Sequence, residues 1–168
     1  DWTETSLYEL NKDGSVSRSI KFEGQSGGVG DYFVKENGEI VALYEDYSSM
    51  TVKTSIKVYD AAGAEIKSTP IEEIIPDYKS NMNSQFISIE MDQNGNVYLL
   101  EATFAMNKKD KGSSQIYELG SDLTYKDIIK DITVNSISSI QMGSDNNMFL
   151  IANDYTLEQP LLMIDEID

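Results

Sequence analysis

The sequence predicts an all-β fold built from repeated four-stranded antiparallel sheets, and three observations carry that expectation. A turn signal followed by a short apolar run ending in an acid occurs three times, at Glu36–Asp46, Asp92–Glu101 and Asp145–Asp154. A second kind of hairpin, opened by a Tyr- or Ile-bearing strand, alternates with the first. The remaining apolar residues fall in short runs bounded by Gly, Asn, Asp and Ser, as in strands joined by tight turns. With Gly38, Gly95 and Asn147 taken as equivalent, the copies lie 57 and 52 residues apart (38 to 95, 95 to 147). That is near the roughly 40–50 residues of one four-stranded unit.

Along the chain, Ser6–Leu10 turns through Asn11–Gly14, which puts two strands before Gly24. Gly24–Asp31 is the richest glycine run. It lacks the Lys-Ser/Thr pair of a phosphate loop and leads into a strand, so no helix N-terminus is available to hold an anion. It reads as a flexible linker between units. Tyr32–Lys35 passes through Glu36–Gly38 into Ile40–Tyr44, and Ile56–Asp60 turns through Ala61–Gly63, so that four strands lie between Asp31 and Thr69. Pro70–Ile75 is expected to form one or two helical turns before Pro76, a residue that disfavours continuation.

Phe86–Met91 leads through Asp92–Gly95 into Val97–Leu100, and Gln115–Leu119 turns through Gly120–Asp122, giving four strands between Gln85 and Lys130. Tyr125–Asp131 is ambiguous between helix and strand. Ser139–Met142 passes through Asp145–Asn147 into Met148–Ile151, and Leu161–Asp165 opens another hairpin, so three strands follow Asn135. Tyr8, Tyr59 and Tyr117, 51 and 58 residues apart (8 to 59, 59 to 117), give the second hairpin a matching register. The Asn-Gly pairs read as structure, because tight turns need a positive φ that Gly and Asn tolerate.

These runs amount to 13 strands. Four antiparallel strands per unit are the blade of a β-propeller, and three to four blades fall at or below the usual minimum of about four for a ring. Residues 1–168 therefore read as one all-β repeat domain that is part of a longer propeller, or is completed by another copy, or is instead a sandwich. The end at Asp168, midway through a hairpin pattern, points to a fragment. The start at Asp1 rather than Met points to a removed leader, tag or upstream region.

Thirteen Lys and Arg stand against 29 Asp and Glu, a net charge of −16. Such a surface repels phosphate backbones and anionic lipids, so nucleic acid is not an expected partner. The one basic stretch, Asn107–Lys111, is interrupted by Asp110 and reads as a solvated loop tip. Cysteine is absent, which removes disulfides and thiol chemistry. An acidic, cysteine-free, Asn/Ser/Tyr-rich chain suits a bacterial cell-surface or secreted protein. No apolar stretch approaches the roughly 20 residues of a membrane span.

Met91–Leu100, with its Asp92-Gln-Asn-Gly-Asn-Val-Tyr core, resembles the innermost hairpin of bacterial propellers of the NHL-repeat and streptogramin-lyase-like type, in which a D-x-x-G-N-x-Y/W turn and strand recur. Lys35–Leu43 is similar to a degenerate second copy and Ser144–Ile151 to a poorer third. The resemblance implies a propeller-like fold rather than an activity. The histidines that carry catalysis in the lyase members have no counterpart, since this chain contains no His.

Without His or Cys, Ser-His-Asp and Cys-His arrangements and imidazole or thiolate zinc sites are impossible. Paired carboxylates held roughly 5–10 Å apart remain able to cleave glycosides. Glu45, Asp46, Glu101 and Asp154 follow the apolar runs and are expected to gather at one rim. No cofactor is expected; calcium is the alternative, with oxygen donors at Asp92–Asn96 and Ser144–Asn147, although neither fits an EF-hand loop and both read as plain β-turns. Tyr32, Phe33, Tyr44, Tyr98 and Phe149 are expected to fill spaces between blades, and Tyr47, Tyr78 and Tyr155, in polar stretches, to be exposed.

Exposed Tyr beside Asn and Asp suits a sugar- or peptide-binding surface. The expected function is a non-enzymatic extracytoplasmic binding module for a protein or glycan, with ligand residues Glu45, Asp46, Tyr47, Tyr78, Glu101, Asp154 and Tyr155. The alternatives are a carbohydrate-active glycosidase or lyase using the rim acids, or a structural assembly in which exposed blade edges pair with another chain.

Overall fold

The computed structural model describes residues 5–22, 27–49, 51–79, 83–104, 112–129, 132, 137–154 and 161–167, of which 153–154 and 161–167 are described by backbone alone. Two compact units divide the chain, Asp1–Pro70 and Ile71–Asp168. In the first, β1 (Thr5–Leu10) pairs with β2 (Val16–Phe22). β3 (Gly27–Val34), β4 (Ile40–Asp46), β5 (Lys53–Tyr59) and β6 (Glu65–Pro70) form a four-stranded sheet in chain order. The second opens with the single turn α1 (Ile71–Ile74). A four-stranded sheet follows, of β7 (Ser84–Met91), β8 (Val97–Thr103), β9 (Ser113–Leu119) and β10 (Tyr125–Ile129), and then a three-stranded sheet of β11 (Ile137–Met142), β12 (Met148–Asp154) and β13 (Leu161–Ile167). Every pairing is antiparallel. The all-β class and its four-stranded antiparallel sheets are thus observed.

Six hairpins close with one geometry. The first turn residue donates its N–H to the fifth residue's carbonyl and accepts from the fourth residue's N–H, at 11–15, 35–39, 60–64, 92–96, 120–124 and 143–147. The fourth residue always has positive φ: Gly14, Gly38, Gly63, Gly95, Leu123 and Asn146. This is a type I turn running into a left-handed residue, which suits the twist of the strands it joins. An acid or amide at the first or third position then accepts from the fifth residue's N–H, as Asp60 does from Ala64, Asp92 from Asn96, Asp13 from Ser15 and Asp122 from Thr124. At Gly63 the φ of 91° is one constraint, and packing is a second, since a Cβ there would lie 2.7 Å from Ile20.

β-Bulges repeat with the turns. Gly30, Ile87 and Ser138 are the unpaired residues where β3 meets β4, β7 meets β8 and β11 meets β12, each five positions before its turn. Ser17, Ile66 and Lys126 are the unpaired residues of the other hairpin kind, each two positions after its turn. A bulge is a designed irregularity rather than a defect. Its recurrence at fixed offsets shows two alternating hairpin kinds more strictly than side-chain identity does.

The cores lie between sheets. In the first unit Ile20 and Phe22 of β2 pack on Ile40, Ala42 and Tyr59, with the Phe22 and Tyr59 rings edge to face at 4.9 Å. In the second, Leu100 and Ile116 pack on Ile137, Ile140, Met148, Leu150 and Ala152. There the Ile140 N–H also donates to Ser88 Oγ (3.3 Å) and the Gln93 N–H to Asn146 Oδ1 (3.0 Å), which ties β11 and its turn to β7 and its turn.

Three expectations are corrected and one ambiguous stretch, Tyr125–Asp131, is resolved over its described part. Gly27–Asp31 is not a linker but part of β3, paired with β4 from Gly27↔Asp46 onward; β4 supplies the ladder that the glycines do not advertise. Tyr125–Ile129 is a strand. The left-handed residue of the third turn is Asn146 rather than Asn147, so the true spacing is 51 residues (95 to 146). Tyr59 does not match Tyr8 and Tyr117: counted from the turns, Leu10, Tyr59 and Leu119 are equivalent, and Tyr8 matches Lys57 and Tyr117. The helical turn at Ile71–Ile74 is where it was expected.

Candidate functional site

Glu101 lies on the central strand β8, opposite Phe86 of β7 and Gln115 of β9. Its flanks are apolar runs, so pairing on both sides buries it to 4% exposure. Tyr78 Oη donates to Oε1 at 3.0 Å, while Gln115 Nε2 at 2.5 Å and Tyr117 Oη at 2.9 Å donate to Oε2. Phe86 and the two tyrosines cover the carboxylate with a ring cluster whose centroids are 5.4–6.5 Å apart. Burial first, and then the Glu101 charge, pushes both phenols well above the usual tyrosine pKa. All three donors are neutral, so the carboxylate is held by hydrogen bonds.

Glu45 on β4 is equally buried. It lies opposite Gly28 and Thr54, and the Tyr47 hydroxyl donates to Oε2. Desolvation, followed by that bond, raises the Tyr47 pKa to about 12. The neighbouring strand makes room by having almost no side chains: a Cβ on Gly30 would lie 3.8 Å from the Glu45 carboxyl carbon, and one on Gly27 only 2.0 Å from the Glu45 carbonyl oxygen. Asp46 accepts from the Ser48 N–H at 2.8 Å and closes the bend after β4. Tyr44, on the opposite face of β4, carries the Lys57 ammonium 4.2 Å above its ring.

The expected rim of acids does not form as one row. Aligned on their turns, Glu101 matches Tyr44, Glu45 matches Ala102, and Asp154 matches Asp46 and Thr103. Because side chains alternate along a strand, Glu45 and Glu101 occupy opposite faces of equivalent strands. Asp154 ends β12 with its backbone opposite Leu161; Tyr155 lies outside the described residues. Glu45 and Glu101 are each brought to a tyrosine, Tyr47 and Tyr78, but as buried acceptors rather than exposed ligands. Tyr47 is exposed as expected. Tyr78 is half-buried against Phe86, contrary to expectation, and Tyr32 is exposed although it sits in an apolar run. Tyr117 and Gln115 were missed as partners; their alternate spacing on β9 is the signal that puts both on Glu101's face.

The two calcium candidates are hydrogen-bonded turns. Asp92, itself buried, accepts from the Asn96 N–H (2.8 Å), Asn96 Nδ2 (2.9 Å) and Tyr98 Oη (3.3 Å), and Asp145 accepts from Asn147. Burial, with the charges of Glu118 and Asp92, raises the Tyr98 pKa to about 12. Among the described residues no helix is long and apolar enough to cross a membrane.

A groove of about 450 Å³ opens in the first unit between the β1–β2 hairpin and β3. Leu7, Tyr8 and Ile20 line one side, Tyr32 and Val34 the other, with Arg18 among the lining residues. Tyr8, Tyr32 and Val34 are all exposed there.

No family model matches the chain, and no curated protein matches it. Among the solved structures to which the chain is similar, two serve as examples. A protein of unknown function from Bacteroides caccae aligns over 97% of this chain and 54% of its own at 12% identity and TM-score 0.54. A luciferin-regenerating enzyme aligns over 94% and 52% at 13% identity and TM-score 0.50. This chain thus spans about half the length of either, and at such identities the likeness is one of fold alone.

Proposed function

We propose that this chain is a non-enzymatic, propeller-type binding module of the bacterial cell exterior that recognises a protein or glycan partner. The single observation that carries the reading is the first-unit groove, where exposed Tyr8 and Tyr32 flank a concave surface with Arg18 and Lys35 at hand. Exposed tyrosines beside polar groups supply area and hydrogen bonds at low entropic cost. The buried Glu45 and Glu101 weigh against a glycosidase, because each is enclosed among strands and bonded to tyrosine. Propeller architecture is supported by the two alternating hairpin kinds and their repeated bulges. The acidic, cysteine-free composition supports the exterior location.

Glycan and peptide arrays test the reading. Binding that Tyr32→Ala lowers about tenfold, the effect of a typical aromatic anchor, is the expected result. Hydrolysis of a nitrophenyl glycoside that Glu101→Gln abolishes in a still-folded chain would overturn it.

A further inference from the structure

Asparagine stands directly before glycine at two places in the chain, Asn37–Gly38 and Asn94–Gly95. Both pairs fill the third and fourth positions of a hairpin turn, at 35–39 and at 92–96, and both glycines have a φ of 84°. The third position is exposed in all six turns, including that of Asp145, whose turn is bonded to its neighbour through Gln93. Exposure of Asn37 and Asn94 therefore belongs to their place in the turn.

The chemistry open to such a pair is loss of the side-chain amide. The Gly nitrogen attacks the Asn Cγ, the Cγ–Nδ2 bond breaks, and the proton shed by the attacking nitrogen leaves with ammonia. Water then opens the five-membered imide at one of its two carbonyls and leaves aspartate or isoaspartate. Glycine permits the attack because no side chain shields its nitrogen. A closed turn opposes it. The third residue of a type I turn has ψ of about 0°, whereas the imide needs that nitrogen eclipsed with Cβ, a rotation of about 120°. The rotation also breaks the turn bond that the Gly N–H donates, to the Lys35 carbonyl (2.9 Å) or the Asp92 carbonyl (3.1 Å). The rate is thus set by how firmly each turn is held shut.

The two turns are held differently. At 92–96 the brace is Asp92, which is buried and accepts from the Asn96 N–H (2.8 Å), Asn96 Nδ2 (2.9 Å) and Tyr98 Oη (3.3 Å). None of these bonds involves Asn94, so they persist when its side chain swings. At 35–39 the first residue is Lys35, and the fifth N–H, that of Glu39, donates instead to Asn37 Oδ1 (3.1 Å). The reacting carboxamide is there the turn's own brace, and the swing that begins the attack releases it. The Lys35–Glu39 ion pair (3.2 Å) also crosses this turn, but it is partly exposed on both sides and weak for that reason.

We propose that Asn37 is a site of spontaneous covalent modification, converted to an acid by loss of its amide, while Asp92 protects Asn94 from the same reaction. The turn accepts the aspartate product: Asp13 and Asp122, at the same third position, accept from the fifth residue's N–H at 2.9 and 3.0 Å. The outcome is one further negative charge beside Glu36 and Glu39 at the end of the β3–β4 hairpin.

Peptide mapping by mass spectrometry, after the whole chain has been held at mildly alkaline pH, tests this. In the folded chain Asn37 should convert about tenfold faster than Asn94, the factor that one hydrogen bond to a charged acceptor contributes to keeping a turn closed. In guanidinium chloride, where neither turn persists, the two rates should come together. Asp92→Ala should raise the Asn94 rate and leave that of Asn37 as it was; the wild-type comparison stands whether or not that variant folds. Equal rates in the folded chain, conversion of Asn94 first, or an Asn37 that reacts only in denaturant overturns the proposal. A urea midpoint lowered by Asn37→Asp would overturn the fit of the product.

Discussion

The Tyr117 hydroxyl lies 2.9 Å from the Glu101 carboxylate across neighbouring strands, in a buried position that Tyr78 and Gln115 also reach. A buried charge is tolerable only when hydrogen bonds replace its water, and removing one donor leaves the acceptor short. Tyr117→Phe keeps the ring and deletes the donor. We expect a loss of about 1.5–3 kcal/mol, the range for a hydrogen bond to a charged group. Urea denaturation with an unchanged m-value would check it.

Alkaline pH tests the same tyrosines. An unfolded tyrosine ionises near pH 10, whereas burial holds Tyr47 and Tyr98 protonated to about 12 and raises Tyr78 and Tyr117 as well. Between those values the unfolded chain has released protons that the folded chain keeps, so stability falls as pH rises. The contribution is complete below about pH 10 and is lost progressively toward and above pH 12. Phenolate absorbance should accordingly titrate in two phases in the folded chain and in one phase in denaturant.

Two turn acids should differ although their sequences look alike. Asp92 is buried and accepts three hydrogen bonds; Asp145 is exposed and accepts from Asn147 at 3.4 and 3.1 Å. Asp92→Ala should cost about 1–3 kcal/mol, because the half-buried Asn96 and Tyr98 donors lose the acceptor they share. Asp145→Ala should stay within about 0.5 kcal/mol. Thermal denaturation of the two variants separates them.

Leu123 holds a left-handed conformation, φ 69°, that a leucine adopts at a cost of about 1–2 kcal/mol. Its side chain is nevertheless buried, which stabilises by roughly 1.5–3 kcal/mol. Packing therefore outweighs strain, and Leu123→Gly should destabilise by about 1 kcal/mol in chemical denaturation. A gain in stability would reverse that order.

Leu123 also marks the limit of what the chain discloses before it folds. Five of the six turns display Gly or Asn at the left-handed position, and the strands they bound were legible from them. The sixth hides its special residue in a leucine whose partners come from tertiary packing. Gly27–Gly30 was obscure for the opposite reason, since a strand without side chains has no alternation to read. Glu101 was legible as a special acid but not as a buried one: aligning it by the end of its apolar run, rather than by the turn, shifts it one residue, and one residue reverses the face. Tyr78 sits between Asp77 and Lys79, which suggests solvent, yet Phe86 and Tyr117 arrive from distant sequence to cover it.

The shared turn geometry has an evolutionary consequence. Each hairpin asks for one residue tolerant of positive φ and one Asx at either of two places, so the remaining positions are open to drift without disturbing the backbone. Copies of such a unit can diverge until only the spacing of their irregularities betrays common descent. The faintness of the repeat in this chain is then a measure of how little the hairpins require, and its ancestry is better sought in bulge and turn positions than in matching letters.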